Sequence, residues 1–162
     1  MRVLALAAAM LLPASVLHAA TLPVSNETEL NAALASAAES GDTISVLADI
    51  VVTGTKTLSK NLTIEGNGYA ISVPQPGLDA AGISNPSASP FGVFRTISGT
   101  PVSVTIRNLS ITGGNATGAG IDNAVGSTLT LIGVALTNNR NAASGGGGIR
   151  NGGTMYLNRC RL

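Results

Sequence analysis

Apolar and polar positions alternate in three short segments of the last third of the chain, and these segments align with one another. In residues 102–111, 127–136 and 153–162 the apolar positions recur at steps of 25 and then 26 residues. They form three columns, which hold Ile106, Leu131 and Leu157; Leu109, Val134 and Cys160; and Ile111, Leu136 and Leu162. A fixed period of this size predicts stacked repeats, because one such unit cannot bury its apolar face alone.

The alternation inside each segment, together with frequent Thr and Val, predicts β-strands rather than helices. Between the segments lie Gly, Asn and Ser, which favour tight turns because they accept left-handed or otherwise special backbone angles. Short strands and tight corners in about 25 residues are typical of one rung of a parallel β-helix, whose strands stack roughly 4.8 Å apart. We therefore predict an all-β parallel β-helix of about five rungs over residues 43–162.

The same pattern continues upstream with less regular spacing. It predicts strands at 44–47, 50–52, 62–64, 70–73 and 93–97, and corners at Asn61 and at Gly66-Asn67-Gly68. A second recurring motif predicts equivalent loops in two consecutive rungs, and it reads Gly120-Ile121-Asp122-Asn123 and then Gly148-Ile149-Arg150-Asn151. The glycine run at 145–148 predicts a corner with unusual backbone angles.

Residues 74–90 interrupt this pattern. They contain four prolines, Pro74, Pro76, Pro86 and Pro90, among Gly and Ser, and they have no period. We predict a long exposed loop that projects from one rung. A plain insertion is the simpler interpretation, because long surface insertions cost little free energy. A loop with a function of its own is the alternative.

Residues 21–42 are predicted to form a short lead and a capping helix. Asn26 fits a helix N-cap with Glu29 three residues on, and Gly41 fits the helix stop, so we predict a helix over 26–40. A stripe at helical spacing consists of Leu30, Ala33, Leu34 and Ala37. Laid across the open end of a β-helix, this helix would shield the core and the strand edges. A helix packed against one side is the alternative.

Residues 1–20 are predicted to be a secretory signal peptide. Arg2 supplies a positive start, residues 3–12 are an apolar run, and Ala19-Ala20 offers small residues for cleavage. The apolar run is too short to span a membrane. The chain is therefore expected to be exported, and an apolar anchor that is retained is the alternative.

The charge of the chain excludes some partners. The whole chain carries a formal charge of +1, and without residues 1–20 it has 8 Lys+Arg against 8 Asp+Glu and no histidine. A balance near zero gives no electrostatic footprint for nucleic acid or for anionic lipid, so neither is expected as a partner. Cys160 is the single cysteine, and its apolar column predicts a small core residue rather than a reactive thiol.

Two motifs carry a resemblance to known proteins. Leu136-Thr137-Asn138-Asn139 followed by Gly146-Gly147-Gly148-Ile149 resembles the FxxN and GGA[IL] signatures of polymorphic outer-membrane-protein repeats, which occur in autotransporter passengers. Ile111-Thr112-Gly113-Gly114 in the preceding rung lacks the Asn. More broadly, residues 43–162 are similar to right-handed parallel β-helices of the pectin-lyase-like superfamily. The resemblance implies right-handed winding, and it implies either a surface scaffold or an enzyme that acts on acidic polysaccharides.

The acidic residues do not recur in the pattern that such enzymes need. Lyases of this kind need clustered acids for Ca²⁺ and a basic residue as proton acceptor, and hydrolases need paired carboxylates. The acids are Glu27, Glu29, Glu39, Asp42, Asp49, Glu65, Asp79 and Asp122, and none recurs at the 25-residue step. We therefore name no catalytic, cofactor-binding or metal-binding residue and expect no cofactor.

Weaker signals for ligands have simpler interpretations. Gly118-x-Gly120-x-Asp122 resembles a single calcium-binding nonapeptide repeat, but Arg150 stands where the next rung would need an acid, so a cross-rung ion pair of Asp122 with Arg150 is predicted. Aromatic platforms for sugars are few, namely Tyr69, Phe91, Phe94 and Tyr156. Phe91, which lies near the predicted loop, is the best of them.

These observations favour an exported, non-catalytic β-helix scaffold at the start of an adhesin-like or autotransporter-passenger protein. Its expected location is extracellular or at the bacterial cell surface, with glycans or proteins of a host or cell surface as partners. Because Leu162 ends the chain on a core column, we expect an N-terminal fragment with any outer-membrane anchor lying beyond it, or an end capped by a partner or second copy. A fragment of a pectate-lyase-like enzyme and a non-functional truncated remnant are the alternatives.

Overall fold

A computed structural model shows the chain wound into a parallel β-helix. It describes residues 19–37, 41–74, 91–141 and 146–162. One helix, α1 (Glu27–Ser36), lies near the start of this part of the chain. The strands are β1 (Thr21–Val24), β2 (Asp42–Val46), β3 (Ile50–Val51), β4 (Lys56–Leu58), β5 (Leu62–Glu65), β6 (Ala70–Ser72), β7 (Phe94–Thr96), β8 (Ser103–Arg107), β9 (Ser110–Thr112), β10 (Ile121–Asn123), β11 (Thr128–Ile132), β12 (Ala135–Thr137), β13 (Ile149–Asn151) and β14 (Thr154–Asn158).

The strands form three sheets, and each turn of the coil adds one strand to each sheet. Sheet A runs β1-β2-β5-β8-β11-β14, sheet B runs β3-β6-β9-β12, and sheet C runs β4-β7-β10-β13. Every pair of neighbouring strands is parallel. Four rungs therefore contribute a strand to all three sheets, and β1 and β14 each add one further strand to sheet A. The predicted parallel β-helix with an N-terminal helix is confirmed.

The predicted apolar columns are confirmed by the strand register. In sheet A, Ile106 pairs with Leu131 and Leu131 pairs with Leu157. The same column continues back to Ile64 and Ile44, at steps of 42 and 20 residues. The long step contains residues 74–90, so an insertion leaves the register of the strands intact. The predicted form of that loop lies outside the described residues, except for Pro74, which is exposed.

The second and third columns also line the core, except at Leu162, the last member of the third column, which is 70% exposed. Ile111 pairs with Leu136 in sheet B, and Leu109 and Val134 are buried beside them. Each fully buried side chain of this kind contributes about 1.5–3 kcal/mol to folding. Cys160 packs partly buried against the core, with its Sγ 3.4 Å from the Leu131 carbonyl oxygen. Its predicted role as a small core residue is confirmed in part, because it packs against the core cluster without being fully buried in it.

Left-handed backbone angles turn the chain from sheet A to sheet B in successive rungs. Asn67, Asn108, Gly133 and Arg159 have φ between 49° and 63°. Gly68 follows Asn67 at φ 87°, so the predicted Gly66–Gly68 corner is confirmed. Asparagine is tolerated at such angles better than most residues that carry a Cβ. The corners thus use the turn residues that the sequence places there, with Arg159 as the exception.

Asparagine side chains also join neighbouring rungs. The Asn139 carboxamide accepts a hydrogen bond from the Gly114 N–H at 3.0 Å and donates one to the Ile111 carbonyl at 2.9 Å. This is the asparagine of the FxxN-like motif, and it satisfies backbone groups of the rung before it. Asn61, at its predicted corner, contacts the following rung instead, where its side-chain oxygen accepts a hydrogen bond from the Ser103 N–H at 2.7 Å.

Helix α1 covers the apolar interior at the start of the coil. The Asn26 side chain accepts a hydrogen bond from the Glu29 N–H at 2.9 Å, so the predicted N-cap is confirmed. The predicted stripe Leu30, Ala33, Leu34 and Ala37 is buried in the core cluster. The helix is shorter than predicted, because Ala37 leaves helical geometry at ψ 125° and becomes the C-cap. Gly41, with φ 89°, belongs to the turn before β2.

Four details of the fold differ from the predictions, three in the strands and one in the glycine run. The lead at 21–25 contains β1, whose two inward positions are too short a run to predict a strand. β4 was missed because Lys56 occupies an inward position that normally takes an apolar residue. The motifs at 120–123 and 148–151, predicted as loops, contain paired strands β10 and β13, with Ile121 opposite Ile149.

The fourth difference concerns the glycine run. The described glycines Gly146, Gly147 and Gly148 do not have left-handed φ values, so the prediction of unusual backbone angles is wrong for them. Gly146 and Gly147 are required for another reason. A Cβ at these positions would lie 1.9 Å from the Ile149 carbonyl oxygen and 2.8 Å from the Asn139 carbonyl oxygen. Close approach of the backbone therefore explains these two glycines.

Candidate functional site

The acidic side chains of the described residues are engaged in structural contacts. The acceptors are Glu27 (from Thr53 and Lys56), Glu29 (from the Ser25 N–H), Asp42 (from the Ala20 N–H), Asp49 (from the Ala70 N–H), Glu65 (from Asn67 and Asn108) and Asp122 (from Arg150). Within the same residues no group of three or more His, Cys, Asp and Glu side chains converges as a metal site would require. Glu39 and Asp79 lie outside the described residues.

One of these contacts is a largely buried ion pair between helix α1 and the first full rung. Lys56 is only 7% exposed, and its Nζ donates to Glu27 Oε1 at 2.5 Å and to Asn31 Oδ1 at 2.9 Å. Partial burial raises the pKa of Glu27, but hydrogen bonds from Lys56 and Thr53 and the Lys56 charge lower it by more, so the pKa lies below its ordinary value of 4.5. This cluster fixes α1 to β4 and has a structural role.

A second ion pair lies on the outer face of sheet C. The Arg150 guanidinium donates to both carboxylate oxygens of Asp122, at 3.1 and 3.2 Å, from the next rung. The predicted cross-rung ion pair is therefore confirmed. Since Asp122 already has a cationic partner, the nonapeptide-like motif around it does not present a free acidic ligand.

A cleft opens beside this ion pair, and we refer to it as the sheet C cleft. It has a volume of about 200 Å³, and its lining includes Thr55, Phe91, Arg95, Thr117 and Asp122. These residues come from three consecutive rungs. Phe91 is half-buried, whereas Arg95 and Thr117 are exposed. The cleft thus combines a cation, a carboxylate, two threonines and one aromatic residue.

The strand register sets the charges on the floor of the cleft. Thr57, Arg95, Asp122 and Arg150 are consecutive members of one outward column in sheet C. Such neighbours lie about 4.8 Å apart along the coil. Arg95 has no ion-pair partner among the residues that the structure describes. Within the part of the chain that the structure describes, the column therefore carries a net charge of +1, and Arg95 is its cation without an ion-pair partner.

The turn at residues 113–120 forms one wall of the cleft. Gly118 has φ 66°, and a Cβ on it would lie 2.9 Å from the Cβ atoms of both Asp122 and Arg150. Only glycine lets the chain lie this close over the ion pair without strain. Asn139 holds the start of the same turn through the Gly114 N–H. The cleft wall is therefore positioned by close packing at Gly118 and by the hydrogen bond from the Gly114 N–H to the Asn139 side chain.

The four aromatic residues that the sequence offered as sugar platforms lie in different places in the structure. Phe91 lines the sheet C cleft, as its position near the inserted segment suggested. Phe94 is fully buried in the core and is not a platform for a ligand. Tyr69 and Tyr156 are exposed but lie away from the cleft, at the β5–β6 corner and on the edge strand β14.

Arg95, Thr55 and Thr117 were not predicted from the sequence as residues of a site. Arg95 had a signal, because it is the outward residue of a predicted strand and follows directly on the buried Phe94. Thr55 and Thr117 had none, because they lie in turns of different rungs and meet only when the coil closes. Convergence of this kind cannot be read from a single repeat.

Charge is also distributed unevenly along the coil. Residues 21–74 contain six acids and two lysines, whereas residues 91–162 contain six arginines and one acid, Asp122. The balance predicted for the mature chain is thus the sum of an acidic first part and a basic second part. The sheet C cleft lies at the start of the basic part.

Comparisons with known proteins identify the fold family. The family model described as a pectate lyase-like adhesive domain matches residues 21–144. Neither the curated proteins nor the solved structures contain a match to the chain. Among the described residues, no helix has the length and apolar character needed to cross a membrane.

Proposed function

Because the chain belongs to the family of pectate lyase-like adhesive domains, we propose that it is an exported, non-catalytic scaffold with an adhesin-like role at the cell surface. The observation that carries the proposal is that each acid of the described residues is engaged in a structural contact. A coil with its acids engaged in this way suits binding better than either enzyme chemistry, since lyases need free carboxylates for Ca²⁺ and hydrolases need a pair of them for proton transfer.

The outer face of sheet A supports an adhesive role. Thr21, Thr43, Thr63, Thr105 and Thr130 form one outward column across five neighbouring strands. Threonine is common in strands because its branched side chain packs well on a pleated surface. Here the column also provides a long, regular row of hydroxyl and methyl groups. A repeated surface of this kind allows many weak contacts with an extended partner at once.

The proposal includes export and a surface location. It is supported by the signal-like residues 1–20 and by the resemblance of two motifs to repeats of autotransporter passengers. The partners we propose are glycans or proteins of a host or cell surface. Outer-membrane association through an anchor outside this sequence is part of the same hypothesis.

The test compares adhesion with catalysis in one preparation. Beads coated with the purified chain are washed over cultured cells and over immobilised polysaccharides, and retention is compared with that of beads coated with heat-denatured chain. In parallel, the chain is incubated with pectate, with and without Ca²⁺, and unsaturated product is measured by its absorbance. Retention without product supports the proposal.

Three other outcomes would contradict it. Calcium-dependent release of product would favour the polysaccharide-active alternative. If beads coated with the folded chain adhere to none of the surfaces, the adhesive role is contradicted and a non-functional remnant is favoured. Export is tested separately, by fractionating cells that express the chain with and without residues 1–20; equal retention in the cytoplasm would contradict a surface location.

A further inference from the structure

We propose that the chain forms an isopeptide bond between the side chains of Lys56 and Asn31, with Glu27 as the acid–base catalyst, and so links β4 covalently to α1. In this reaction the Lys56 amine replaces the side-chain nitrogen of Asn31. This self-modification goes beyond the proposed adhesive function and does not depend on it.

The nucleophile is the amine of Lys56, which occupies an inward position of β4. Lys56 is 7% exposed, and its partner in the neighbouring strand is the fully buried Phe94. Its Nζ lies 2.9 Å from Asn31 Oδ1 and, because a C=O bond is about 1.2 Å long, within about 4 Å of the Asn31 Cγ. Holding two reacting groups together makes the attack intramolecular, and well-oriented reactions of this kind reach effective molarities on the order of 10⁵–10⁸ M.

The catalyst is Glu27, whose carboxylate contacts the same amine. Lys56 Nζ donates to Glu27 Oε1 at 2.5 Å, and Thr53 holds this carboxylate through its N–H at 2.7 Å and its hydroxyl at 2.9 Å. Glu27 and Asn31 are four residues apart in α1, so they lie on one face of the helix and reach the same Nζ. A nucleophile, a proton carrier and an amide carbon therefore meet around one atom.

The reaction exchanges one amide nitrogen for another and needs no oxidant or cofactor. Glu27 accepts a proton from the Lys56 ammonium, and the lone pair on Nζ forms a bond to the Asn31 Cγ while the C=O electron pair moves to Oδ1. The carbonyl then forms again, and the Cγ–Nδ2 bond breaks with its electron pair on the nitrogen. Two protons pass from Nζ through Glu27 to this nitrogen, which leaves as ammonium. Asn31 is exposed, so the ammonium escapes directly into water.

Lys60 provides a matched comparison. It is the other lysine of the chain, and its Nζ also reaches α1, where it donates to the Ala35 carbonyl at 3.0 Å. That carbonyl belongs to the main chain, so an exchange of its amide nitrogen would cut the chain rather than cross-link it. Lys56 instead contacts a side-chain amide and a carboxylate. The arrangement at Lys56 therefore has the parts that the reaction needs.

The experiment detects the bond by mass. The purified full chain is denatured and digested with a protease that cleaves after glutamate, which places Asn31 in peptide 30–39 and Lys56 in peptide 40–65. We expect a branched species that contains both peptides and is lighter than the two together by one ammonia. In a tryptic digest, cleavage after Lys56 should be lost. Two linear peptides of full mass, with tryptic cleavage after Lys56, would overturn the proposal.

Reacted and unreacted chains can be separated before digestion. The reaction removes one positive charge, so ion-exchange chromatography resolves the two forms. The unreacted form keeps the ion pair of Lys56 with Glu27, and its thermal melt measures that ion pair without the covalent bond. The reacted form should melt at a higher temperature, because the bond restricts the unfolded chain by closing a loop from residue 31 to residue 56.

Four variants assign the roles, and circular dichroism checks that each is folded. Asn31→Ala and Lys56→Met should give linear peptides alone, whereas Lys60→Met should give the branched species at the wild-type level. Glu27→Gln keeps both reacting groups and should contain at most about a tenth of the wild-type fraction of branched species, since general acid–base catalysis contributes about 10²–10⁴-fold. Branched species in Asn31→Ala, or a wild-type fraction in Glu27→Gln, would contradict the assigned roles.

Discussion

The start of the coil and strand β14 differ in how well their apolar side chains are covered. At the start, α1 lies over the core, its Leu30 is fully buried, and Lys56 binds the helix from beneath. At β14 the column residue Leu157 is 49% exposed, although its neighbour Leu131 in the same column is 0% exposed. Leu131 and Leu157 occupy the same inward position in their own strands. The presence of a neighbour on the outer side, and not the local sequence, therefore decides burial in a stacked fold.

The largest expected effect compares these two leucines. Leu131→Ala removes a side chain held between β8 and β14 and should lower the free energy of unfolding by about 2–5 kcal/mol. Leu157→Ala removes a half-exposed side chain and should cost about 1 kcal/mol or less. Urea unfolding followed by circular dichroism measures both. Equal losses would mean that Leu157 is covered in solution.

The next largest effect is expected for the ion pair of Lys56 with Glu27 at the start of the coil. Lys56→Met leaves Glu27 without its cation and should cost about 2 kcal/mol, which is less than for a fully buried pair because the Glu27 side chain is 20% exposed. Lys60→Met is the control, since Lys60 also reaches the helix, donating to the Ala35 carbonyl at 3.0 Å, but from an exposed position. It should cost about 0.5 kcal/mol or less. Similar losses in thermal melts would show that burial does not distinguish the two lysines.

A smaller effect should appear with pH. The pKa of Glu27 is lowered in the folded chain, so its ionised form stabilises folding above the ordinary value of 4.5, and this contribution is lost as the pH falls through the folded pKa. We expect the melting temperature to fall between about pH 5 and pH 2, and to fall less steeply in Glu27→Gln. Parallel slopes for the two chains would contradict a role for this carboxylate.

The smallest effect is expected for the cross-rung ion pair. Arg150 is more than half exposed at its side chain, so its coupling to Asp122 should be about 0–1 kcal/mol. A double-mutant cycle of Asp122→Asn and Arg150→Gln, measured by urea unfolding, isolates this term. Coupling well above that range would mean that the pair is shielded from water.

Much of the fold could be predicted because its signals are local and repeated. The columns through Ile106 and Ile111, the Gly66–Gly68 corner and the Asn26 cap depend on a few neighbouring residues. β4 escaped prediction because an inward Lys56 breaks the apolar alternation. Its charge is tolerated only because Glu27 and Asn31 on α1 reach it. A pattern within one rung contains no information about such a partner.

The candidate site was less accessible to prediction. Phe91 was named from its place beside the insertion, and the Asp122–Arg150 pair from the repeat. Arg95 stands in the same column, but its open position became apparent only when the strands were in register. Thr55 and Thr117 approach it from turns of other rungs, and such distant convergence depends on the exact course of each turn.

The sequence by itself determined which apolar residues of the repeated columns face inward, because side chains alternate along a strand and the apolar positions recur once per rung. It also determined where the chain turns, through Asn and Gly at the corners. The tertiary structure alone decided which inward residues are covered, which charges are compensated and where a cleft opens. Those properties depend on contacts between rungs, and a contact between rungs belongs to two distant segments at once.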